Sequence, residues 1–310
     1  MKVLVTGASG FLGRAVHAEL VARNIQVTGL AFSRETDSLV KLDLNDFAAT
    51  KHCLEERRPD VVVHCAAERK PDVCENSPDA AKNLNVHATE NLAELSSSLD
   101  FMLLYISTDY VFPGDAPVGG YDVDDPPAPT NFYGKTKYQG EIAILDARRQ
   151  RGARATVLRV PVLYGLASSN SESAINCLYD AVVAAADRKK VVRMDDWASR
   201  YPTNTFDVAR VIVELAELSL ERTLPSIVHF SAQQRLTKYE IAKIFALAHS
   251  PPLDLDEHEW FLRDGEGPRP GDTIRPRDCH LSNRALEGLG IDCTPAQTFE
   301  EWSKVFVEEQ

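Results

Sequence analysis

The chain opens on Val3-Leu4-Val5-Thr6-Gly7-Ala8-Ser9-Gly10-Phe11-Leu12-Gly13, an apolar run that passes directly into three glycines spaced three residues apart. A buried strand ending in such a turn and continuing as a helix is the geometry of a diphosphate cradle. Gly7 permits a backbone turn closed to residues that carry a Cβ, Gly10 lets the main chain approach an anion, and Gly13 lets the helix pack close to the strand. The first N–H groups of the helix, which lack partners inside it, then face the negative ligand. Thr6, Ser9, Phe11 and Leu12 complete the contacting segment, and the apolar spacing predicts an amphipathic helix over 11–23.

Further along, short β-rich apolar runs alternate with helical patterns. Strands are expected at 2–6, 26–31, 40–42, 61–64, 102–107 and 156–161. Ser77-Pro78 reads as a capped helix entry, with proline at the first helical position, leading into a helix over 79–99. Strands separated by helices imply a doubly wound α/β fold: a parallel sheet covered on both faces, with ligand at the carboxyl ends of the strands. Beyond about residue 165 the pattern loosens, with a polar turn at 168–171 and a helix at 173–187. Thr237-x-x-Glu240 has capping-box spacing ahead of a helix to about His249, and a short helix closes the chain at 299–309. The stretch 251–278, rich in proline, glycine and charge, reads as a long surface connection, with a lid as the alternative. A dinucleotide-binding domain is expected over 1–165 and a smaller substrate-type lobe over 166–310, with roughly 201–232 returning to the first domain.

Composition narrows the function classes. With 310 residues, 44% of them hydrophobic, the chain can bury one large or two modest cores, and no stretch approaches the ~18 apolar residues of a membrane span. The N-terminus runs into a core strand after one lysine, so no signal peptide and a cytoplasmic location are expected. Six scattered cysteines and eight dispersed histidines carry no paired metal-ligand spacing, so reduced thiols and no metal are expected. A formal charge of −12 makes nucleic acid and anionic membranes poor partners.

Two features bear on which nucleotide and which chemistry. An acidic residue about 20 positions past the glycine turn ordinarily holds the ribose of NAD, but Ser33-Arg34 stands there. A guanidinium suits a 2′-phosphate, which favours NADP(H), while a solvated Arg34 paired with Glu35 or Asp37 is the plain alternative. Asp43 and Leu44, after the third strand, are placed to meet the adenosine, and Cys65-Ala66-Ala67, after the fourth, are small enough to let backbone pass close to the cofactor. Both sets are equally compatible with strand-end packing. Tyr133 and Lys137 share a helical face four residues apart. A phenol titrates near 10, so it exchanges protons poorly at neutral pH unless a nearby ammonium stabilises the phenolate. Tyr239 and Lys243 repeat the spacing and read as structural. Tyr133 is distinguished by lying downstream of Ile106-Ser107-Thr108-Asp109-Tyr110, whose Thr108 hydroxyl would emerge beside it to meet a substrate carbonyl.

The glycine turn, Thr108 and the Tyr133/Lys137 pair together resemble the extended short-chain dehydrogenase/reductases. Within them, the 107–112 and 131–137 segments and Arg200-Tyr201-Pro202-Thr203 resemble the dTDP-4-dehydrorhamnose reductase branch. His64-Cys65-Ala66-Ala67-Glu68-Arg69-Lys70-Pro71-Asp72-Val73-Cys74-Glu75-Asn76, together with Arg159-Val160-Pro161-Val162-Leu163-Tyr164-Gly165, is similar to the regulatory beta subunits of methionine adenosyltransferase. That resemblance implies an NADP-binding reductase fold that docks on the catalytic alpha subunit making S-adenosylmethionine, with Arg159 and Pro161 among the cofactor contacts. The acidic ending Val305-Phe306-Val307-Glu308-Glu309-Gln310 departs from the basic, aromatic tail of animal members. If chemistry is retained, the resemblance implies an NADPH-dependent reductase of a 4-keto sugar nucleotide: Tyr133 gives the proton, Lys137 tunes it and Thr108 orients the carbonyl.

Overall fold

A computed structural model describes residues 1–33 and 39–310. Among them, seven strands form one parallel sheet. Six are numbered in chain order: β1 Lys2–Thr6, β2 Gln26–Ala31, β3 Leu39–Lys41, β4 Val61–His64, β5 Met102–Thr108 and β6 Ala155–Val160. With the seventh, Ile227–His229, at one edge, the order across the sheet is Ile227–His229, β6, β5, β4, β1, β2, β3. The order of strand addition reverses between β1 and β4, and the crevice at that switch is where open sheets of this kind bind ligands.

Strand alternation divides the sheet's side chains between two cores. In β1, Val3 and Val5 join Val16 and Leu20 of the first helix, Phe11–Ala22, and Val208 and Ile212 of the helix Thr205–Glu221 on one face. Leu4 points the other way and joins Leu54, Leu92 and Ile144 from the helices Phe47–Arg57, Ala88–Leu99 and Phe132–Arg151. Residues so buried on both faces read as continuous apolar runs, which is why these strands are visible in the sequence. A separate aromatic core gathers Tyr164, Phe245, Phe261, Phe299 and Trp302. Among the described residues no helix is long and apolar enough to cross a membrane.

Several expectations need correcting. The expected helix over 79–99 is a short helix Pro78–Lys82, a π-helical turn Asn83–His87 and the helix Ala88–Leu99, and the Ser77 side chain caps nothing. The wide turn turns Asn85 inward, where its Nδ2 donates to Glu68 O at 2.9 Å and Thr136 Oγ1 at 3.0 Å, and its Oδ1 accepts from Glu68 N at 2.8 Å. That buried amide ties the loop after β4 to the helix carrying Tyr133. The helix expected over 173–187 begins at Cys177, because the Ser173 hydroxyl accepts the N–H groups of Ile175 and Asn176 and holds the chain in a turn. The 251–278 stretch is not connection alone: Phe261–Asp264 pairs in parallel with Val192–Asp195.

Candidate functional site

The carboxyl ends of β1, β4, β5 and β6 open into a cleft of about 870 Å³, whose walls include Gly7, Gly10, Gly13, Thr108, Tyr133 and Lys137. At one end the glycine turn is fixed by sterics. Gly7 has φ +64°, and a Cβ there would lie 2.8 Å from the Ala66 backbone; a Cβ on Gly13 would lie 2.1 Å from Gly7 O. Both glycines are therefore spent on bringing the first helix and the loop after β4 against the turn. Gly10, in extended conformation at the N-cap, offers no side-chain cap, so the helix start is left to a ligand of opposite sign.

Midway along the cleft stand the titratable groups. The helix Phe132–Arg151 is capped by Asn131, whose side chain accepts from Gly134 N at 2.8 Å. Gly134 lets that helix seat on the turn after β5, since a Cβ would lie 2.2 Å from Tyr110 O. This seating brings Tyr133 to Thr108: burial raises the phenol above its ordinary pKa, and a hydrogen bond with the Thr108 hydroxyl opposes the rise. The Lys137 ammonium lies 4.1 Å from the centre of the Tyr105 ring, and burial lowers its pKa to about 7, with Glu141 opposing. Thr108 Oγ1 donates to Asp109 Oδ1 at 3.0 Å, and burial raises that carboxyl to about 7. Burial also pushes the Cys65 thiol up to about 12, so it is no nucleophile.

The far end is basic. Arg200, Lys238 and Arg275 all line it, from three distant parts of the chain. Arg200 is 6% exposed and donates from Nη1 to Ser199 O at 2.8 Å and Pro276 O at 3.2 Å, while its Nη2 has no partner among the described residues. Arg275 Nη2 reaches Asp72 Oδ2 at 2.7 Å across the mouth.

A sheet of this order with a glycine turn, a Thr/Tyr/Lys group and a basic far wall has known relatives. The family model for the RmlD substrate binding domain matches residues 1–305. The methionine adenosyltransferase 2 subunit beta of Pongo abelii is 42% identical over 291 residues, covering 94% of this chain and 83% of that protein. The chain belongs to the methionine adenosyltransferase beta-subunit family. That family shares its fold with reductases. A dTDP-4-dehydrorhamnose reductase of Streptomyces griseus is 35% identical over 225 residues, covering 72% of this chain and 67% of that one. The crystal structure of the Bacillus anthracis dTDP-4-dehydrorhamnose reductase in complex with NADP superposes with a TM-score of 0.80, at 26% identity, over 100% of this chain and 98% of that one.

For this member of the beta-subunit family, most residues singled out in the sequence share one cleft: Gly7, Ser9, Gly10, Phe11, Leu12, Gly13, Asp43, Leu44, Cys65, Ala66, Ala67, Thr108, Tyr133, Lys137 and Pro161. Two do not line it. Thr6 points behind the wall, its hydroxyl 2.7 Å from His64 Nδ1 and accepting weakly from Ala66 N, so it shapes the turn from behind. Arg159 is 1% exposed and sealed in an ion pair with Glu141 at 2.7 Å, because inward and outward side chains alternate along β6. The expectation that Arg159 contacts a cofactor is corrected by that geometry. Ser33 is exposed, and Arg34 lies outside the described residues. Tyr239 and Lys243 both engage Glu257, the lysine at 2.9 Å, away from the cleft. Phe32, Asp109, Lys238 and Arg275 were missed by the sequence reading; no local pattern joins cations so far apart in the chain.

Proposed function

We propose that this chain is a non-catalytic regulatory subunit of methionine adenosyltransferase, binding NADP(H) and docking in the cytoplasm on the catalytic alpha subunit that makes S-adenosylmethionine. The observation that carries the proposal is 42% identity, over 94% of the chain, to a protein named as that enzyme's beta subunit.

The cofactor half is supported by a turn in which Cβ atoms at Gly7 and Gly13 would overlap backbone. Ser9 and 10–13 would hold the diphosphate, Phe32, Asp43 and Leu44 the adenosine, and Cys65, Ala66, Ala67, Tyr133, Lys137 and Pro161 the nicotinamide side. Arg34 would select the 2′-phosphate. Bound NADPH would supply a hydride donor. The acid–base groups support a binding role: the phenol of Tyr133 is held high by burial, and the Lys137 ammonium lies against the Tyr105 ring. Thr108, Tyr133 and Lys137 then act as cofactor contacts.

A second reading, reduction of a 4-keto sugar nucleotide, is favoured by one observation: the buried Arg200, with its spare donor, faces the same cleft as Thr108 and Tyr133. On that reading Tyr133 gives the proton, Thr108 orients the carbonyl and the basic wall holds the substrate's phosphates. The two separate cleanly. Co-purification with the methionine adenosyltransferase catalytic subunit, and negligible NADPH oxidation with dTDP-4-keto-6-deoxyglucose, are expected. Rapid turnover that Tyr133→Phe abolishes would overturn the regulatory proposal.

A further inference from the structure

We infer that Arg14 and Glu172 form a clasp that holds the 166–173 segment over the diphosphate end of the cleft and sets how fast a dinucleotide leaves it. The inference rests on the nucleotide-binding reading and goes beyond it to a pair of positioning residues.

Arg14 follows Gly13 in the first helix, and its Nη1 donates to Ser9 O at 2.9 Å, which anchors the guanidinium to the glycine turn itself. From there it makes a two-pronged pair with a residue 158 positions away: Nη1 to Glu172 Oε1 at 3.1 Å and Nη2 to Oε2 at 2.5 Å. Glu172 Oε2 also accepts from Ser168 N at 2.9 Å, so the carboxylate organises its own segment while tying it to the turn. Ser171, Glu172 and Ser173 line the cleft together with Gly7, Gly10 and Gly13. A dinucleotide on the glycine turn would therefore share the cleft with the segment that this tie holds.

The feet of the segment are rigid. Gly165 has φ +145°, with no room for a Cβ against Thr205 Oγ1 at 2.3 Å, and its carbonyl accepts from Asn176 Nδ2 at 2.8 Å. Ser173 Oγ donates to Leu163 O at 2.8 Å. The ties of the crown to the rest of the chain include the clasp and Asn170, whose Nδ2 donates to Asp180 Oδ1 at 2.8 Å and Gln310 Oε1 at 3.1 Å. Leu166, at the start of the segment, is 85% exposed. A stretch with fixed feet and a crown tied by polar side chains opens by breaking those ties, not by unfolding a core.

Charge gives the pairing a second purpose. A lone carboxylate at Glu172 would repel a diphosphate; joined to Arg14 through two charge-assisted hydrogen bonds, it presents a neutral wall. The side chains are 28% and 25% exposed, so the pair is a tie that water can reach rather than a buried strut. Breaking it is compatible with lid motions on the μs–ms scale.

The experiment is stopped-flow displacement of NADPH by excess NADP⁺ from the full chain, followed by nicotinamide fluorescence, in wild type, Glu172→Gln, Arg14→Gln and the double variant. Release from Glu172→Gln is expected to be roughly three- to tenfold faster than from wild type, with an unchanged melting temperature for the unliganded protein. The double variant is expected to be no faster than the faster single, because either substitution alone already breaks the Arg14–Glu172 pair. An unchanged release rate in Glu172→Gln, or effects of the two substitutions that multiply independently, would overturn the clasp. A wild-type chain that binds no NADPH would overturn the nucleotide reading and this proposal with it, a result distinct from binding with clasp-independent release.

Discussion

Arg159→Met is the sharpest test of where the cleft ends and the core begins. The guanidinium donates from Nε to Glu141 Oε1 at 2.9 Å and from Nη2 to Oε2 at 2.7 Å, and the two side chains are 1% and 0% exposed. Its Nη1 meets His229 Nε2 at 3.2 Å, and its plane lies 4.9 Å from the centre of the Phe112 ring. Methionine keeps most of the volume, so the cavity contribution is small and the loss is mainly that of Glu141 stripped of its counter-charge. Breaking one partner of a buried pair costs ~3–5 kcal/mol. Glu141 still accepts from Ser107 Oγ at 2.5 Å, which sets the expectation at the lower end, about 3 kcal/mol. The double variant Arg159→Met/Glu141→Met, which removes both charges, should recover much of that, because replacing a buried pair by apolar side chains of similar volume is often close to neutral. Urea denaturation reads the stability and NADPH titration under native conditions reads the affinity. A loss of stability with the nucleotide Kd within about twofold of wild type is the outcome expected of a core residue. A Kd raised tenfold with stability intact would refute the reasoning and return Arg159 to the cleft.

Gly13→Ala places a Cβ 2.1 Å from Gly7 O, a backbone atom that cannot step aside, so it should cost ~1–3 kcal/mol and abolish NADPH binding in the same titration. Arg34→Asp is expected to weaken NADP⁺ far more than NAD⁺ by calorimetry, and equal losses would remove Arg34 from the site. For Lys137, lowered from its ordinary 10.5 to about 7, the unfolded chain holds more protons between those values; its contribution to stability therefore rises from pH 7 towards 10. Denaturation midpoints of wild type should gain on Lys137→Met over that interval, and a constant difference would refute the burial of a charged ammonium. Asp109, raised from 3.8 to about 7, works in the opposite sense, so relative to Asp109→Asn the wild type should lose stability as pH rises from 4 to 7.

Much of the site was legible because its chemistry is local. Gly10 and Gly13 answer a steric demand set by Gly7 O within the same turn, Gly7 takes a left-handed φ of +64°, and Tyr133 and Lys137 share a face of one helix. The residues misread or missed depend on distant partners. Arg159 and Val160 are neighbours on β6, yet one faces Glu141 and the other the cleft; which face of the strand meets the cleft is decided by the helices laid on the sheet. The π-helical turn at Asn83–His87 follows from Asn85 bonding to Glu68 and Thr136, a pairing no periodicity reveals.

From the amino-acid order alone came the parallel sheet, its glycine corner and the Tyr133/Lys137 pair, because burial on both faces writes unbroken apolar runs and tight turns demand particular residues. Tertiary structure alone decided that Arg200, Lys238 and Arg275 share a wall, that the Lys137 ammonium rests on Tyr105, and that Arg14 reaches Glu172. Those side chains are joined by chain crossovers of many tens of residues, and side-chain contact and electrostatic fields act through space, where sequence distance carries no information.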